Sequence, residues 1–301
     1  MSATIAPNAV KANNSARDWP FETRPLSSVL GVEILGITME EAVSPEIFPK
    51  VYEAFLDHQF ILFSDVDLPP ETQVAFAANF GEVQAHVRNQ YHGFDGRFPE
   101  IYFLTNLDAD GNPTGTHPDK GTLQWHTDGS WRPRTGLATM MYSEILPSKG
   151  GDTHFCDMYG AYDALDDSWK ARIAGLKAVH NLDFSRNRRA PENPLKPEQK
   201  AEVPPVAHPV LRTHPETGRK AIFLGDHAEY IEGMDYDEGR ALVTALNALA
   251  TPDHLVYRHK WSPRQCAVWD NRCLLHLATG YDTANEKRVM RRCTVHGDKP
   301  F

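Results

Sequence analysis

The residue types best suited to chemistry in this chain are a histidine and a carboxylate two positions apart, His126 and Asp128. Side chains two apart on a strand share a face, so such a pair can offer two ligands to one metal ion. Chance also generates such pairs, because the chain contains five of them: His117/Asp119, His126/Asp128, His214/Glu216, His227/Glu229 and His296/Asp298. Context favours His126/Asp128, which comes directly off an apolar stretch that is predicted to be a strand, residues 123–126.

The other four pairs have less suitable surroundings. His117 and His214 are followed by proline in turn-like runs, and His296 stands beside a glycine near the end of the sequence. We predict that these three are loop residues. His227 follows a predicted strand, so its pair with Glu229 is kept as the alternative that could line a site.

His276 is the best candidate for a third metal ligand. It lies in an apolar run that is predicted to be a strand, and it shares a face with Leu274 and Ala278. The alternative is a core histidine whose polar atoms are satisfied by its neighbours. Two neutral imidazoles and one carboxylate suit iron(II), with zinc as the main competitor, and would leave positions open on the metal.

Two arginines near the carboxyl end also need an explanation. In a strand over residues 288–295, Arg288 and Arg292 lie on one face, and Arg291 lies on the other. If the shared face is solvated, this is a charged edge strand. If it faces the interior of a barrel, the buried guanidiniums must meet anions, and carboxylates of small molecules are natural partners.

Composition excludes several classes of protein. The chain has 301 residues and a formal net charge of -9, which argues against an extended nucleic-acid surface. We see neither a signal peptide nor an apolar stretch long enough to span a membrane. The four cysteines form no CxxC pair, so we predict free thiols and a cytoplasmic location. We also expect a homo-oligomer that binds a small molecule.

The pattern along the chain predicts many short strands and a few helices. This combination is typical of a β-sandwich or jelly roll with helices packed outside. We predict an N-terminal arm over residues 1–24, a single domain over 25–301 and a helix over 159–176. Residues 88–119 and 184–205 are predicted loops. The second of these is rich in arginine, and it is either a solvated segment or a flap over a site.

Four motifs occur in an order that resembles a known family: Trp125-His126-Thr127-Asp128, Gly150-Gly151-Asp152-Thr153, Trp269-Asp270-Asn271-Arg272 with His276, and Arg288-Val289-Met290-Arg291-Arg292. Together they resemble the taurine dioxygenase family of iron(II)/2-oxoglutarate-dependent dioxygenases. Residues 151–158, 208–214 and 257–261 are most similar to the 2,4-dichlorophenoxyacetate dioxygenases within that family.

The resemblance implies a double-stranded β-helix, or jelly roll, as the core, with peripheral helices. It also implies a set of iron ligands and a set of groups around the cosubstrate. The implied iron ligands are His126, Asp128 and His276. The implied cosubstrate residues are Arg288, which would pair with the distal carboxylate of 2-oxoglutarate, Thr153, which would assist it, Trp269, which would wall the pocket, and Arg292.

Arg292 is left open by the resemblance: it would meet either the far end of the cosubstrate or the acidic group of the substrate. His86 occupies the place of a histidine that contacts the sulfonate in taurine dioxygenase. Thr122 stands where that enzyme has an asparagine, which weakens an assignment to taurine. These three residues are the predicted substrate contacts.

The implied reaction is an O2-dependent hydroxylation coupled to conversion of 2-oxoglutarate to succinate and CO2. Three functions remain. The first is oxidation of a small organic acid, above all an aryloxyacetate, which would yield a phenol and glyoxylate. The second is oxidation of an alkylsulfonate or a sulfate ester. The third is a metal-binding β-helix protein without turnover.

Overall fold

The structure is a computed structural model that describes residues 17–85 and 97–301. The strands are β1 (Glu22–Pro25), β2 (Val32–Leu35), β3 (Phe60–Phe63), β4 (Tyr102–Thr105), β5 (Gly136–Ile145), β6 (Thr153–Asp157), β7 (Lys177–His180), β8 (Val206–Pro209), β9 (Leu211–Thr213), β10 (Lys220–Ile222), β11 (Ala228–Ile231), β12 (Val256–His259), β13 (Cys266–Asp270), β14 (Leu274–Ala278) and β15 (Val289–His296).

The helices are α1 (Met39–Val43), α2 (Phe48–His58), α3 (Pro70–Phe80), α4 (Met158–Asp163), α5 (Asp167–Ile173), α6 (Leu182–Arg189), α7 (Pro197–Glu202) and α8 (Tyr236–Ala250). Two short 3-10 helices, Lys120–Leu123 and Asp253–Leu255, complete the described elements.

Two sheets form the core of the molecule. The larger has the order β1-β2-β3-β13-β5-β15-β4, and the smaller has the order β12-β6-β14. Most neighbouring strands are antiparallel, and β2 and β3 are parallel. This is a jelly-roll core with helices outside it, so the predicted fold class is confirmed.

Alternation along the strands of the larger sheet divides its side chains between two apolar layers. Phe60 and Trp269 point toward the smaller sheet, where Phe155 lies 4.8 Å from the Phe60 ring and 5.2 Å from the Trp269 ring. The next residue in β3, Ile61, belongs to the layer on the opposite face, together with Phe76 of α3. One sheet therefore packs against the second sheet on one face and against helices on the other.

Two sequence-based predictions about helices were wrong. The helix predicted over 159–176 is broken into α4 and α5, because the side chain of Asp166 accepts a hydrogen bond from the backbone N–H of Trp169 and starts a new helix. Residues 184–205 are not a loop, since they contain most of α6 and all of α7. Asn181 caps α6 through hydrogen bonds from two backbone N–H groups.

Residues 17–24 make regular contacts with the rest of the chain. Trp19 stacks on Phe21 with ring centroids 5.5 Å apart, and its Nε1 donates a hydrogen bond to Glu53. Strand β1 pairs with β2. The division into an arm over 1–24 and a single domain over 25–301 stays a prediction.

The four cysteines are free and buried. Burial, with a smaller contribution from Asp157, raises the pKa of the Cys156 thiol to about 12, so this thiol stays protonated and unreactive. Within residues 17–85 and 97–301, no helix is long and apolar enough to cross a membrane.

Candidate active site

His126 is positioned by a two-way backbone pairing with His276. The N–H of His126 donates to the carbonyl oxygen of His276 at 3.0 Å, and the reverse hydrogen bond measures 2.8 Å. The strand predicted over residues 123–126 was wrong, because Lys120–Leu123 is a 3-10 helix. The bridge nevertheless sets the two imidazole rings 4.2 Å apart at the edge of the smaller sheet.

Asp128 completes a cluster with the two histidines. His126 Nε2 lies 3.8 Å from Asp128 Oδ1, and His276 Nε2 lies 3.8 Å from Asp128 Oδ2. One candidate ligand atom from each residue falls within 4.8 Å of the others. Two imidazole nitrogens and one carboxylate that converge in this way can occupy one side of a metal ion.

The protonation states of the cluster fit a divalent metal. His126 Nδ1 is 2.8 Å from the carbonyl oxygen of Gln124, which can only accept, so Nδ1 carries the proton and Nε2 has a free lone pair. Burial lowers the pKa of His276 to about 3, with a further contribution from His126, so its imidazole is neutral. Burial raises the pKa of Asp128, but its neighbours, above all the Arg292 guanidinium, lower it more, and the net pKa lies well below the usual range.

A buried chain of hydrogen bonds holds the carboxylate of Asp128. Thr139 Oγ1 donates to Asp128 Oδ2 at 2.6 Å, and Asn271 Nδ2 donates to Thr139 Oγ1 at 2.9 Å. Asn271 Oδ1 in turn accepts a hydrogen bond from Trp269 Nε1 at 3.1 Å. Neither Thr139 nor Asn271 was a predicted site residue, because their contacts with Asp128 and with each other form only in the folded chain.

Thr139→Val is expected to weaken iron(II) binding about 10- to 100-fold, as loss of an outer-shell partner of a metal ligand typically does. Valine has nearly the shape of threonine but cannot donate to Asp128. An anaerobic metal titration monitored by competition with a chelator measures the change, and Thr139→Ser, which keeps the hydroxyl, should retain most of the affinity. Equal affinity in the valine and serine variants would contradict this role.

A small cavity of about 30 Å³ adjoins the cluster and contains Arg288. Arg288 is 4% exposed, its Nη2 donates to the carbonyl oxygen of Gly151 at 3.2 Å, and its Nε has no hydrogen-bond partner among the described residues. Burial lowers the pKa of Arg288 to about 10, although Tyr281 and Asp152 oppose the shift. Such a cation has an open donor for an anion.

Thr153 and Trp269 line the same small cavity. The Thr153 hydroxyl accepts a hydrogen bond from Trp261 Nε1 at 2.9 Å, which leaves its own proton free to donate. The ring of Trp269 is fully buried and lies 5.0 Å from that of His276. The structure therefore brings these two residues together with Arg288 beside the cluster.

The Gly150-Gly151 turn lets the backbone approach Gly280 and the side chain of Arg288 closely. Both glycines have left-handed φ angles, 78° and 70°. A Cβ atom on Gly150 would lie 2.4 Å from the carbonyl oxygen of Gly280, and one on Gly151 would lie 3.1 Å from Arg288 Nε. Side chains at these two positions would displace the loop whose carbonyl binds Arg288.

The predicted parity of the arginine strand is confirmed. Arg288 and Arg292 both line the small cavity, and Met290 lies in the apolar layer between the sheets. Arg291 points away from them and forms an ion pair with Glu144 at 2.8 Å. Interior placement of the first two arginines removes the alternative of a charged, solvated edge strand.

Arg292 connects the cluster to a second, larger cavity of about 520 Å³. Its Nη1 lies 3.7 Å from Asp128 Oδ1, and its guanidinium packs 5.1 Å from the ring centroid of Tyr102. Thr122 lines both cavities, and its hydroxyl donates to the carbonyl oxygen of Asp119. His86, the third predicted substrate contact, lies outside the described residues.

The alternative His227/Glu229 pair does not form a second cluster. His227 lines the larger cavity, 6.4 Å from the ring of His126, but Glu229 accepts hydrogen bonds from Asn181 and Tyr236 instead. Among the described residues, the pair that joins a cluster is therefore His126/Asp128.

The prediction that His296 is a loop residue was wrong, because it is the last residue of β15. His214 and His117 lie outside the strands and helices, as predicted, but their side chains have defined surroundings. His214 is buried, and its Nε2 lies 3.1 Å from Asp270, which also forms an ion pair with Arg272 at 2.7 Å. His117 lines both cavities. A proline after a histidine indicated a turn in each case but gave no information on what the side chain contacts.

Comparisons with known proteins and the geometry of the cluster indicate the same class of protein. Residues 22–294 match the model of the family described as taurine catabolism dioxygenase TauD, TfdA family. The chain is 31% identical over 290 residues to the (S)-phenoxypropionate/alpha-ketoglutarate-dioxygenase of Sphingobium herbicidovorans, a match that covers 92% of this chain and 96% of that protein. It is also 31% identical over 280 residues to the alpha-ketoglutarate-dependent 2,4-dichlorophenoxyacetate dioxygenase of Cupriavidus pinatubonensis, covering 91% and 97% of the two chains.

Solved structures are similar over nearly the same length. The crystal structure of AAD-2 in complex with Mn(II) and N-oxalylglycine superposes with a TM-score of 0.82 at 33% identity, and the match covers 93% of this chain and 98% of that one. The chain is an oxidoreductase that uses iron(II), 2-oxoglutarate and O2. It belongs to the taurine catabolism dioxygenase TauD, TfdA family.

Proposed function

We propose that this enzyme hydroxylates a small organic acid, and that its substrate is an aryloxyacetate or a close aryloxyalkanoate. One observation carries the proposal: Arg292 stands 3.7 Å from the carboxylate of the cluster and opens onto the larger cavity. An anion paired with Arg292 would therefore lie beside the metal position. The relatives named for phenoxypropionate and 2,4-dichlorophenoxyacetate support the same substrate class.

The proposed iron ligands are His126 Nε2, His276 Nε2 and one carboxylate oxygen of Asp128. Iron(II) bound here would supply O2 activation, and the protein supplies position and shelter from water. Thr139 keeps the carboxylate oriented, and the Gln124 carbonyl keeps the His126 tautomer fixed. No protein nucleophile is needed for this chemistry.

The proposed cosubstrate site extends from the metal position into the small cavity, which both His276 and Arg288 line. Arg288 would bind the distal carboxylate of 2-oxoglutarate, because it is a buried cation with an open donor. The Thr153 hydroxyl would donate to the same carboxylate, and Trp269 would wall the pocket against water. Both line that cavity.

Arg292 is proposed to bind the substrate carboxylate. In an aryloxyacetate the carbon to be oxidised is bonded directly to that carboxylate, so an ion pair with Arg292 places its C–H bonds close to the metal position. One oxygen atom of O2 enters succinate, and the other becomes the new hydroxyl group. The product carries a hydroxyl beside the ether oxygen, and this hemiacetal collapses to a phenol and glyoxylate.

An anaerobic titration followed by turnover tests the proposal. Addition of iron(II) and 2-oxoglutarate should produce a weak visible charge-transfer band, and O2 should then give succinate coupled to phenol release from phenoxyacetate and 2,4-dichlorophenoxyacetate. Succinate formation coupled only to alkylsulfonates or sulfate esters would overturn the substrate assignment in favour of the alternative. Absence of the band would favour a metal-binding protein without turnover.

We also propose a cytoplasmic location and a homo-oligomeric assembly. Four free, buried thiols are compatible with a reducing cytoplasm. A homo-oligomer is proposed as the working form, and light scattering of the purified chain would test it.

A further inference from the structure

The larger cavity has more space and more positive charge than a simple aryloxyacetate requires. Its volume of about 520 Å³ lies within the range of small-molecule sites that hold larger ligands. Among the described residues it is lined by five cationic side chains and three acidic ones. The cations are Lys120, Arg132, Arg186, Arg189 and Arg292, and the acids are Asp119, Asp128 and Glu192.

The three acids already have partners. Asp119 Oδ1 accepts a hydrogen bond from the backbone N–H of Gly121 at 2.8 Å, Glu192 pairs with Lys120 at 2.7 Å, and Asp128 belongs to the metal cluster. Arg189 is paired outside this set, since it forms an ion pair with Asp226 at 3.1 Å. Among the described residues, three of the five cations are therefore offset by ion pairs and two are not.

Arg132 and Arg186 are the two cations of the cavity wall that have no acidic partner among the described residues. Neither forms an ion pair with an acid of the described chain, whereas Arg188, next but one to Arg186, pairs with Asp226 at 3.2 Å. The guanidinium of Arg132 stacks on Trp131 at 4.3 Å from the ring centroid, and burial lowers its pKa with no compensating acid. Arg186 Nε donates to the carbonyl oxygen of Asn193, which leaves its terminal nitrogens for another acceptor.

Two partly buried guanidiniums that share a cavity, and that form no ion pair with a described acid, favour an anionic ligand. Of the cavity's cations, only Arg292 forms an ion pair with the cluster. Arg132 and Arg186 line the same cavity without an ion pair to the cluster, so they can bind an anion other than the one beside the metal. Trp131 adds an aromatic wall next to Arg132.

We propose that Arg132 and Arg186 form a second anion subsite, which takes an acidic substituent on the ring of an aryloxyacetate. This inference rests on the proposed function, because it assumes that the first carboxylate is bound at Arg292. The preferred substrates are then dianions with one acid beside the reacting carbon and another on the far side of the ring.

Binding of two matched ligands to the anaerobic enzyme loaded with iron(II) and 2-oxoglutarate tests the subsite. Isothermal titration calorimetry compares 4-carboxyphenoxyacetate with 4-carbamoylphenoxyacetate, which has nearly the same shape without the second charge. The wild-type enzyme should bind the dianion about tenfold more tightly, as expected for a charge-assisted contact that is partly screened by solvent. Arg132→Gln combined with Arg186→Gln should bring the two dissociation constants to within about twofold.

Arg188→Gln is the matched control, because Arg188 lies on the same helix as Arg186 but does not line the cavity. In this variant the ratio of the dissociation constants of the two ligands should equal that of the wild type. If the double variant does not fold, the single variant Arg186→Gln replaces it. Its ratio of the two dissociation constants should lie between those expected for the wild type and the double variant. Equal binding of the two ligands by the wild type, with phenoxyacetate still bound, would overturn the subsite alone. Failure to bind phenoxyacetate itself would overturn the proposed function and the subsite with it.

Discussion

Arg288→Ala is expected to raise the 2-oxoglutarate concentration required for half-maximal succinate formation by about 100- to 4,000-fold, while iron(II) affinity stays unchanged. Removing one partner of a buried charge pair costs about 3–5 kcal/mol, and each 1.4 kcal/mol corresponds to a factor of about ten. The guanidinium is buried, has an open donor at Nε and lies in the small cavity beside the cluster. Its removal leaves a carboxylate in that cavity without a counter-ion.

Arg291→Ala provides the control for this experiment. Arg291 lies in β15, which begins directly after Arg288, but it points to the other face, where it pairs with Glu144 and donates to the carbonyl oxygen of Leu68. Its loss should lower the melting temperature without changing the 2-oxoglutarate requirement. An unchanged requirement in Arg288→Ala, or an equal increase in both variants, would contradict the assignment of Arg288 to the cosubstrate.

The arginine strand and the metal cluster could be predicted because strand periodicity is a strong local signal. Arg288 and Arg292 share a face whenever the segment is extended, and the alternation is visible in the sequence. His276 was identified as a polar residue in an apolar run. The cluster formed as predicted although residues 123–126 are not a strand, since one backbone bridge to β14 places His126.

Contacts between distant segments could not be predicted. The Thr139 hydroxyl reaches Asp128 only because β5 runs back past the turn that follows the cluster. Asn271 belongs to the motif Trp269-Asp270-Asn271-Arg272, but nothing in the neighbouring sequence indicates that its amide donates to a residue 132 positions away. Such hydrogen bonds depend on sheet order, which the sequence pattern leaves undetermined.

The prediction for the arginine-rich segment was wrong for a different reason. Residues 184–205 contain several prolines and were therefore predicted to be a loop, but Asn181, a strong N-cap residue, starts α6. Asn181 therefore indicated the start of a helix, but the prediction relied on the charges and prolines that follow it. Recognition of the helix places Arg186 on the wall of the larger cavity rather than on a solvated segment, and this favours the flap alternative over the solvated one.

Asp128→Asn is expected to lower iron(II) affinity by at least about 100-fold, beyond the range for loss of an outer-shell partner, and to reduce succinate formation to background. The substitution keeps the size of the side chain but removes the only negative charge of the cluster. It also leaves Arg292, 3.7 Å away in the wild type, as an uncompensated positive charge beside the metal position. Both effects disfavour a divalent cation.

Glu229→Gln removes the same charge from the competing histidine pair and is the matched control. Glu229 binds Asn181 and Tyr236 and does not line either cavity, so iron(II) affinity should equal that of the wild type in an anaerobic titration. Wild-type affinity in Asp128→Asn would show that the metal binds elsewhere. A loss confined to Glu229→Gln would reassign the site to His227. The difference between the two variants therefore decides which of the two histidine–carboxylate pairs holds the iron.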